Sequence, residues 1–123
     1  MGFIETLGID IIENHADGVS IECLVRKEFF NFRGVVHGGL TASVADSAMG
    51  IAVSRHYGPD TPVTTVEMKI NYLRPVAAGK LVARSRIVRD GKRICVGQVD
   101  VRDGDDNLVA IALTTFAVLK PAS

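Results

Sequence analysis

The residues best equipped for chemistry lie in one run, Asn31 to Asp46, which reads NFRGVVHGGLTASVAD. His37, Gly38 and Gly39 stand at the start of an apolar stretch, 38–54, that reads as a helix. The first N–H groups of a helix have no partner inside it, and the helix dipole adds partial positive charge there. Two glycines let a ligand reach that backbone with no Cβ in the way. A carbonyl oxygen resting on the Gly38 N–H would be polarised by both effects, although a tight turn accounts for the glycine pair equally well. Asp46 follows His37 by nine residues and is the one charged residue of the stretch. An acid on a helix that is apolar nearly all round is expected to be buried, where an unpaired carboxylate is costly and its pKa rises. Its neighbours one turn away, Ala42, Ser43, Met49 and Gly50, are mostly small and leave room for a substrate. The competing account is an acid that reaches solvent or pairs with an arginine.

Together these groups suit attack on a thioester. That reaction needs fixed donors aimed at the carbonyl oxygen, an activated water or carboxylate nucleophile, and a grip on the carrier group. His37 fits three roles: acid–base group, hydrogen-bond donor or helix cap. His15 and His56 share no ligand spacing with it, so no metal site is expected. The chain has no G-x-S-x-G elbow, P-loop or G-x-G-x-x-G run, which disfavours a serine hydrolase, a nucleotidase and a dehydrogenase.

The surrounding elements must place these groups. Residues 9–16 and 19–26 read as two strands around the turn Ala16-Asp17-Gly18. Residues 2–8 suggest a short irregular turn of helix, and residues 27–37 a loop. Residues 63–74, 80–90, 92–102 and 107–119 read as four long strands, separated by good turn chemistry. The tight spacing predicts antiparallel neighbours. From Leu108 to Leu119 only Thr114 and Thr115 are polar, so both faces of the last strand are apolar. One helix covers one face; a second copy of the chain is the simplest cover for the other.

Composition bounds the rest. The 123 residues fit one domain, 1–123. At 47% hydrophobic and 23% charged, the chain is too apolar for disorder. Fourteen basic and fourteen acidic residues cancel, so no net field recruits nucleic acid or an anionic membrane. Cys23 and Cys95 lie in apolar alternating stretches and read as reduced core residues of a cytoplasmic protein. No secretory leader or membrane span is expected.

With Asn31, Gly34, His37, Gly38, Gly39 and Asp46 at this spacing, and one apolar helix beside a long antiparallel sheet, the chain resembles the hotdog-fold thioesterases. Within them it is most similar to the PaaI-type, or phenylacetate-pathway, branch. The resemblance spans roughly residues 5–119, and Val66 to Pro75 is similar to the family's central strand. It implies an α+β hotdog fold, a long antiparallel sheet wrapped around one central buried helix. It also implies hydrolysis of an acyl-CoA to free acid and CoA. Asp46 matches the catalytic carboxylate, as nucleophile or general base; the family also uses glutamate here. Gly38 matches the backbone donor to the carbonyl. Asn31 and His37 match residues that order the loop and contact the thioester or the attacking water. Thr65 matches a hydroxyl that helps hold water. Arg74, Arg89, Lys92 and Arg93 are candidates for the CoA phosphates, and Gly91 resembles the family's turn against CoA. No cofactor is implied, since CoA is part of the substrate. The resemblance implies a homodimer with shared sites, commonly a dimer of dimers, so that Asp46 faces the Asn31–Gly38 loop of another subunit.

Two rivals are weaker. Hotdog enoyl-CoA hydratases and dehydratases place proline near their histidine, and no proline lies between Gly2 and Gly58. Hotdog acyl-CoA sensors add a DNA-binding segment, for which there is neither spare length nor a basic stripe. The expected acyl group is aromatic or medium-chain. Phe29, Phe30, Phe32, Met49 and Met68 are candidates to line its pocket, and each is more simply explained as core.

Overall fold

The organising element is a helix, α2, over Gly38–Tyr57. His37 caps it, its Nδ1 accepting from the Gly39 N–H at 2.8 Å. The helix runs to Tyr57 rather than Ser54 and stops at Gly58, whose φ of 90° ends the helical path just before Pro59. Before it come α1 (Phe3–Leu7), β1 (Ile9–His15), β2 (Gly18–Leu24) and a 3-10 turn at Lys27–Phe29. After it come β3 (Val63–Tyr72), β4 (Lys80–Asp90), β5 (Ile94–Asp103) and β6 (Leu108–Val118). This is a computed structural model that describes residues 2–120.

All six strands join one antiparallel sheet in the order β1-β2-β4-β5-β6-β3. It curls around α2 as a hotdog fold, packing Ile21, Cys23, Leu81, Val99, Val101 and Phe116 against Leu40, Val44, Met49 and Val53. Every expected strand is present, with ends moved by a residue or two. One expected pairing is not: β3 does not lie beside β4. Residues 73–79 pass along one end of the sheet, and β3 pairs with β6 at the far edge while β4 pairs with β2. Seven extended residues reach about 23 Å, enough to skip two strands spaced about 4.8 Å apart. Buried Val76 anchors the crossing, its carbonyl accepting from the Val36 N–H at 2.8 Å.

Two close approaches lock the helix to the sheet. Ser85 of β4 is fully buried; its hydroxyl donates to the Ala48 carbonyl at 2.9 Å and accepts from the Val19 N–H at 3.1 Å, tying α2, β2 and β4 together. Gly97 of β5 gives room to Met49, since a Cβ there would sit 2.1 Å from the Met49 sulfur.

The helix is not buried all round within one chain, as its composition suggested. Leu40, Val44, Ala48, Met49 and Val53 face the sheet, whereas Ser43, Asp46, Ser47, Gly50 and Ile51 lie on a half-open side. The outer face of β6 leaves Ile111 and Leu113 exposed, as its composition suggested, but its neighbours there are mixed: Gln98, Arg86 and Asp100 share that face.

Tyr57 closes the C-terminal end of α2, its hydroxyl donating to the Gly91 carbonyl at 2.6 Å. Burial pushes this hydroxyl up to about 12 from the ordinary value of 10. The folded chain therefore holds the proton more tightly than the unfolded chain, and this contribution is lost as pH rises from about 10 towards 12. Tyr57→Phe removes that share of alkaline destabilisation and costs about 1 kcal/mol near neutral pH through the lost hydrogen bond. Urea unfolding of both proteins at neutral and strongly alkaline pH checks the two effects together.

Candidate active site

The loop before α2 is built around Asn31. Its side-chain oxygen accepts from the Arg33 N–H at 2.8 Å and the Val35 N–H at 3.3 Å, and its own N–H donates to the Val35 carbonyl at 2.8 Å. Gly34, at φ 79°, makes the bend that this knot requires. The His37 N–H donates to the Phe29 carbonyl at 2.7 Å, so the loop delivers His37 to its cap position in a fixed pose. Because Nδ1 is occupied as an acceptor, Nε2 carries the proton of the neutral ring and faces outward. The Tyr72 hydroxyl donates to the Gly38 carbonyl at 2.9 Å and pins the first helical residue to β3. Among the described residues, the Gly38 N–H has no acceptor. It opens into a cleft of about 350 Å3 lined by Val36, Thr41, Tyr72, Arg74 and Pro75.

Asp46 lies on the same helix, about 12 Å further along the axis at 1.5 Å per residue. It is half-buried, not sealed in an apolar interior, because the sheet leaves that side of α2 open. The Thr65 hydroxyl donates to its Oδ1 at 2.8 Å. Thr65 sits beside a β-bulge, where Val66 is inserted between Thr65 and Glu67 against β6. A bulge turns and twists an edge strand locally. Asp46 and Thr65 open into a second cleft, of about 690 Å3, between the two edges of the curled sheet.

The structure thus brings Asp46 and Thr65 together, and separately joins Gly38 with Arg74. It places the other expected cations elsewhere. Lys92 and Arg93 line a third cleft with Tyr57 and Lys120, at the C-terminal end of α2. Gly91 turns there under the Tyr57 hydroxyl, and Arg89 projects to solvent from β4. Arg74 and the Lys92–Arg93 pair lie at opposite ends of one chain. Among the described residues no group of three His, Cys, Asp or Glu is placed to hold a metal ion. No helix is long and apolar enough to cross a membrane.

Most of the residues that could line an acyl pocket follow their simpler reading as core. Phe29 and Met68 pack on the core, Met49 is fully buried against Gly97, Phe30 is bridged to Val36, and Phe32 is 94% exposed. The walls of the Asp46 cleft are instead Ile4, Ile9, Ile11, Ile51, Val63 and Phe116. Ser47, Ser54 and Arg55 also reach it and were not singled out from the sequence. Their signal is the helical spacing 46, 47, 50, 51, 54, 55, one continuous stripe of α2. Tyr72 carried no local signal, since its contact to Gly38 spans 34 positions.

A six-stranded antiparallel sheet around one long helix, with a free N–H at the helix start and a carboxylate further along, defines a hotdog-fold thioester hydrolase. The model of the thioesterase superfamily matches residues 33–110, and the chain belongs to that superfamily. It is similar to the 1,4-dihydroxy-2-naphthoyl-CoA hydrolase of Listeria monocytogenes, 28% identical over 98% of each chain. The crystal structure of a Haemophilus influenzae thioesterase superposes with a TM-score of 0.90 at 28% identity, over 95% of this chain and 82% of that one. A point-mutant structure of the phenylacetic acid degradation protein PaaI from Thermus thermophilus superposes with a TM-score of 0.86 at 26% identity, over 95% and 98%.

The Asn31 knot is testable on its own. Asn31→Ala frees the Arg33 and Val35 amides, and at about 1 kcal/mol per lost bond their hydrogen exchange speeds by roughly five- to ten-fold. Amides of Val44 to Val53 keep their protection. Unchanged exchange across 32–36 would show that the loop holds itself without this side chain.

Proposed function

We propose that the protein hydrolyses an aromatic or medium-chain acyl-CoA to the free acid and CoA, at sites shared between two copies of the chain. The observation that carries this reading is the Asp46 carboxylate, held by Thr65 in an open cleft on the helix that begins with the unpaired Gly38 N–H. The acyl carbonyl oxygen accepts from Gly38, where partial positive charge meets the charge that develops on it. A water oxygen held between Asp46 and Thr65 attacks the carbonyl carbon, and Asp46 takes its proton. Collapse of the tetrahedral intermediate breaks the C–S bond; the CoA sulfur leaves and receives the proton, and the acid remains. If Asp46 acts as nucleophile instead, its oxygen attacks the acyl carbon, the C–S bond breaks with CoA leaving as thiolate, and water opens the resulting mixed anhydride to the free acid, restoring Asp46. His37 supplies its outward N–H to the thioester or the water.

Within one chain, Gly38 and Asp46 are too far apart along α2 to serve one carbonyl. The edge strand β3 supports a remedy. Its ten residues are mostly exposed, a pairing edge left open. Antiparallel pairing of β3 with its own copy sets two α2 helices side by side in opposite directions, so Gly38 of one chain approaches the partner's Asp46. Glu67 and Lys69 flank Met68, and a register centred there places each acid opposite the partner's base. The same reversal carries Arg74 of one chain to the end where the partner's Lys92 and Arg93 lie, which gathers cations for the CoA phosphates, with Gly91 and Arg89 close by. A pair of such dimers, joined through the outer face around Ile111 and Leu113, makes the tetramer. The name of the Listeria relative favours a fused aromatic acyl group, and that of the Thermus protein an aryl acid.

Release of free thiol from a panel of aromatic and medium-chain acyl-CoAs tests the reaction. Asp46→Asn lowers turnover on the order of 100- to 10,000-fold, the usual range for a lost acid–base group. Thr65→Val lowers it about ten-fold, the worth of one hydrogen bond to a charged group. An Asp46→Ala protein with full turnover contradicts the mechanism.

A further inference from the structure

Asp46 has a gap beside it. Gly50 follows it by one helical turn on the same face of α2, and both line the cleft. Contacts close a ring around that gap. The Thr65 hydroxyl donates to Asp46 at 2.8 Å. Thr65 is the direct cross-strand partner of Phe116, so the two side chains share the inner face of the sheet. The Phe116 ring in turn points at α2: a Cβ built on Gly50 would lie 3.8 Å from its Cε2 and Cζ atoms. Asp46, Thr65, Phe116 and Gly50 are therefore neighbours, each set against the next.

The fold gives no reason for glycine at this position. The backbone of Gly50 is ordinary α-helix, without the positive φ of Gly34 or Gly58. At Gly97 a Cβ would collide with the Met49 sulfur, whereas at Gly50 the nearest atoms stand at ordinary van der Waals distance. Alanine would fit there, and it favours the folded helix about five-fold over glycine. What the bare backbone provides instead is space. Gly50 is half-buried in the cleft and leaves a slot one methyl group deep, over the edge of an aromatic ring and one turn from the carboxylate. Glycine where alanine is more stable marks a position at which stability is given up for function.

We propose that Gly50 is a specificity-determining residue: the side chain it lacks leaves the slot, floored by Phe116, that seats a rigid ring of the acyl group close to the thioester. The proposal rests on the reading of the Asp46 cleft as the acyl site. A ring suits the slot better than a chain for two reasons. It meets the Phe116 ring, and aromatic pairs attract beyond the area they bury. It is also rigid, so it needs the whole depth of the slot, while a polymethylene chain bends around an added methyl group.

Gly50→Ala fills the slot and keeps the helix, so it tells the two kinds of acyl group apart. Binding of 2-naphthoyl-CoA and of octanoyl-CoA is measured by calorimetry to the Asp46→Asn protein, which needs no turnover, with and without Gly50→Ala. The added methyl weakens 2-naphthoyl-CoA on the order of ten-fold, the usual worth of one such group in an apolar pocket, and leaves octanoyl-CoA within about two-fold. The Tm of the Gly50→Ala protein stays level or rises. In the protein with Asp46 intact, kcat/KM shows the same split between the two substrates. Equal changes in Kd for both ligands, or none, overturn the slot even where thiol is released from both. Failure of 2-naphthoyl-CoA to bind the Asp46→Asn protein overturns it as well. A selective loss accompanied by a changed sedimentation coefficient assigns Gly50 to contact between subunits, which also overturns the proposal. A selective loss of binding, with no thiol release from either ligand by the parent protein, supports the slot and contradicts the hydrolytic reading instead.

Discussion

The sheet curls around α2 but leaves one stripe of that helix bare, and in that stripe a single hydrogen bond from Thr65 fixes the carboxylate of Asp46. Much else follows from this arrangement. Were that stripe covered as well, Asp46 would be buried as an isolated charge, at a cost of several kcal/mol. The open side avoids that cost and leaves the acid facing a cleft. The bulge at Val66 belongs to the same solution, since it lies next to the residue whose hydroxyl must turn towards Asp46.

The same stripe separates the tasks of the site along the helix. At the N-terminal end, the Asn31 knot, the His37 cap and the Tyr72 hydroxyl hold the Gly38 peptide still while leaving its N–H unpaired. A donor that is fixed before the reaction costs no reorganisation when charge develops on the oxygen. Asp46 stands about two turns further on, too distant to act on the same carbonyl within one chain. The proposed pairing of the exposed edge strand β3 with its own copy would bring a second helix alongside, in the opposite direction. In this account catalysis and assembly share one cause, the incomplete covering of α2.

How far the chain could be read from its residues depended on range. The helix start was legible because its signals are local: a cap, two glycines and an apolar run within a few residues. The strands were legible for the same reason, with turn residues marking each end. Strand order was not, because the crossing at residues 73–79 is decided by β2 pairing with β4, a contact between distant segments. The openness around Asp46 was misjudged because composition shows that a helix is apolar but not which of its sides the sheet will reach. The residues that line the Asp46 cleft were not legible for a related reason. Phenylalanines of the 27–37 loop attract notice by type, yet the cleft walls are isoleucines and a phenylalanine drawn from distant elements. Only the stripe from Asp46 to Arg55 was fully present in the helical spacing.

The central claim, that one site takes its oxyanion donor and its carboxylate from different chains, is tested most directly by subunit complementation. Gly38→Pro removes the donor N–H at the first helical position, where proline is well tolerated, and Asp46→Asn removes the carboxylate. Each protein alone is inactive. Unfolded together in equal amounts and refolded, half of the dimers are mixed, and each mixed dimer has one site with both groups intact. The account predicts recovery of about a quarter of the parental thioesterase activity. Recovery no greater than the sum of the separately refolded variants would place both groups in one chain and contradict it.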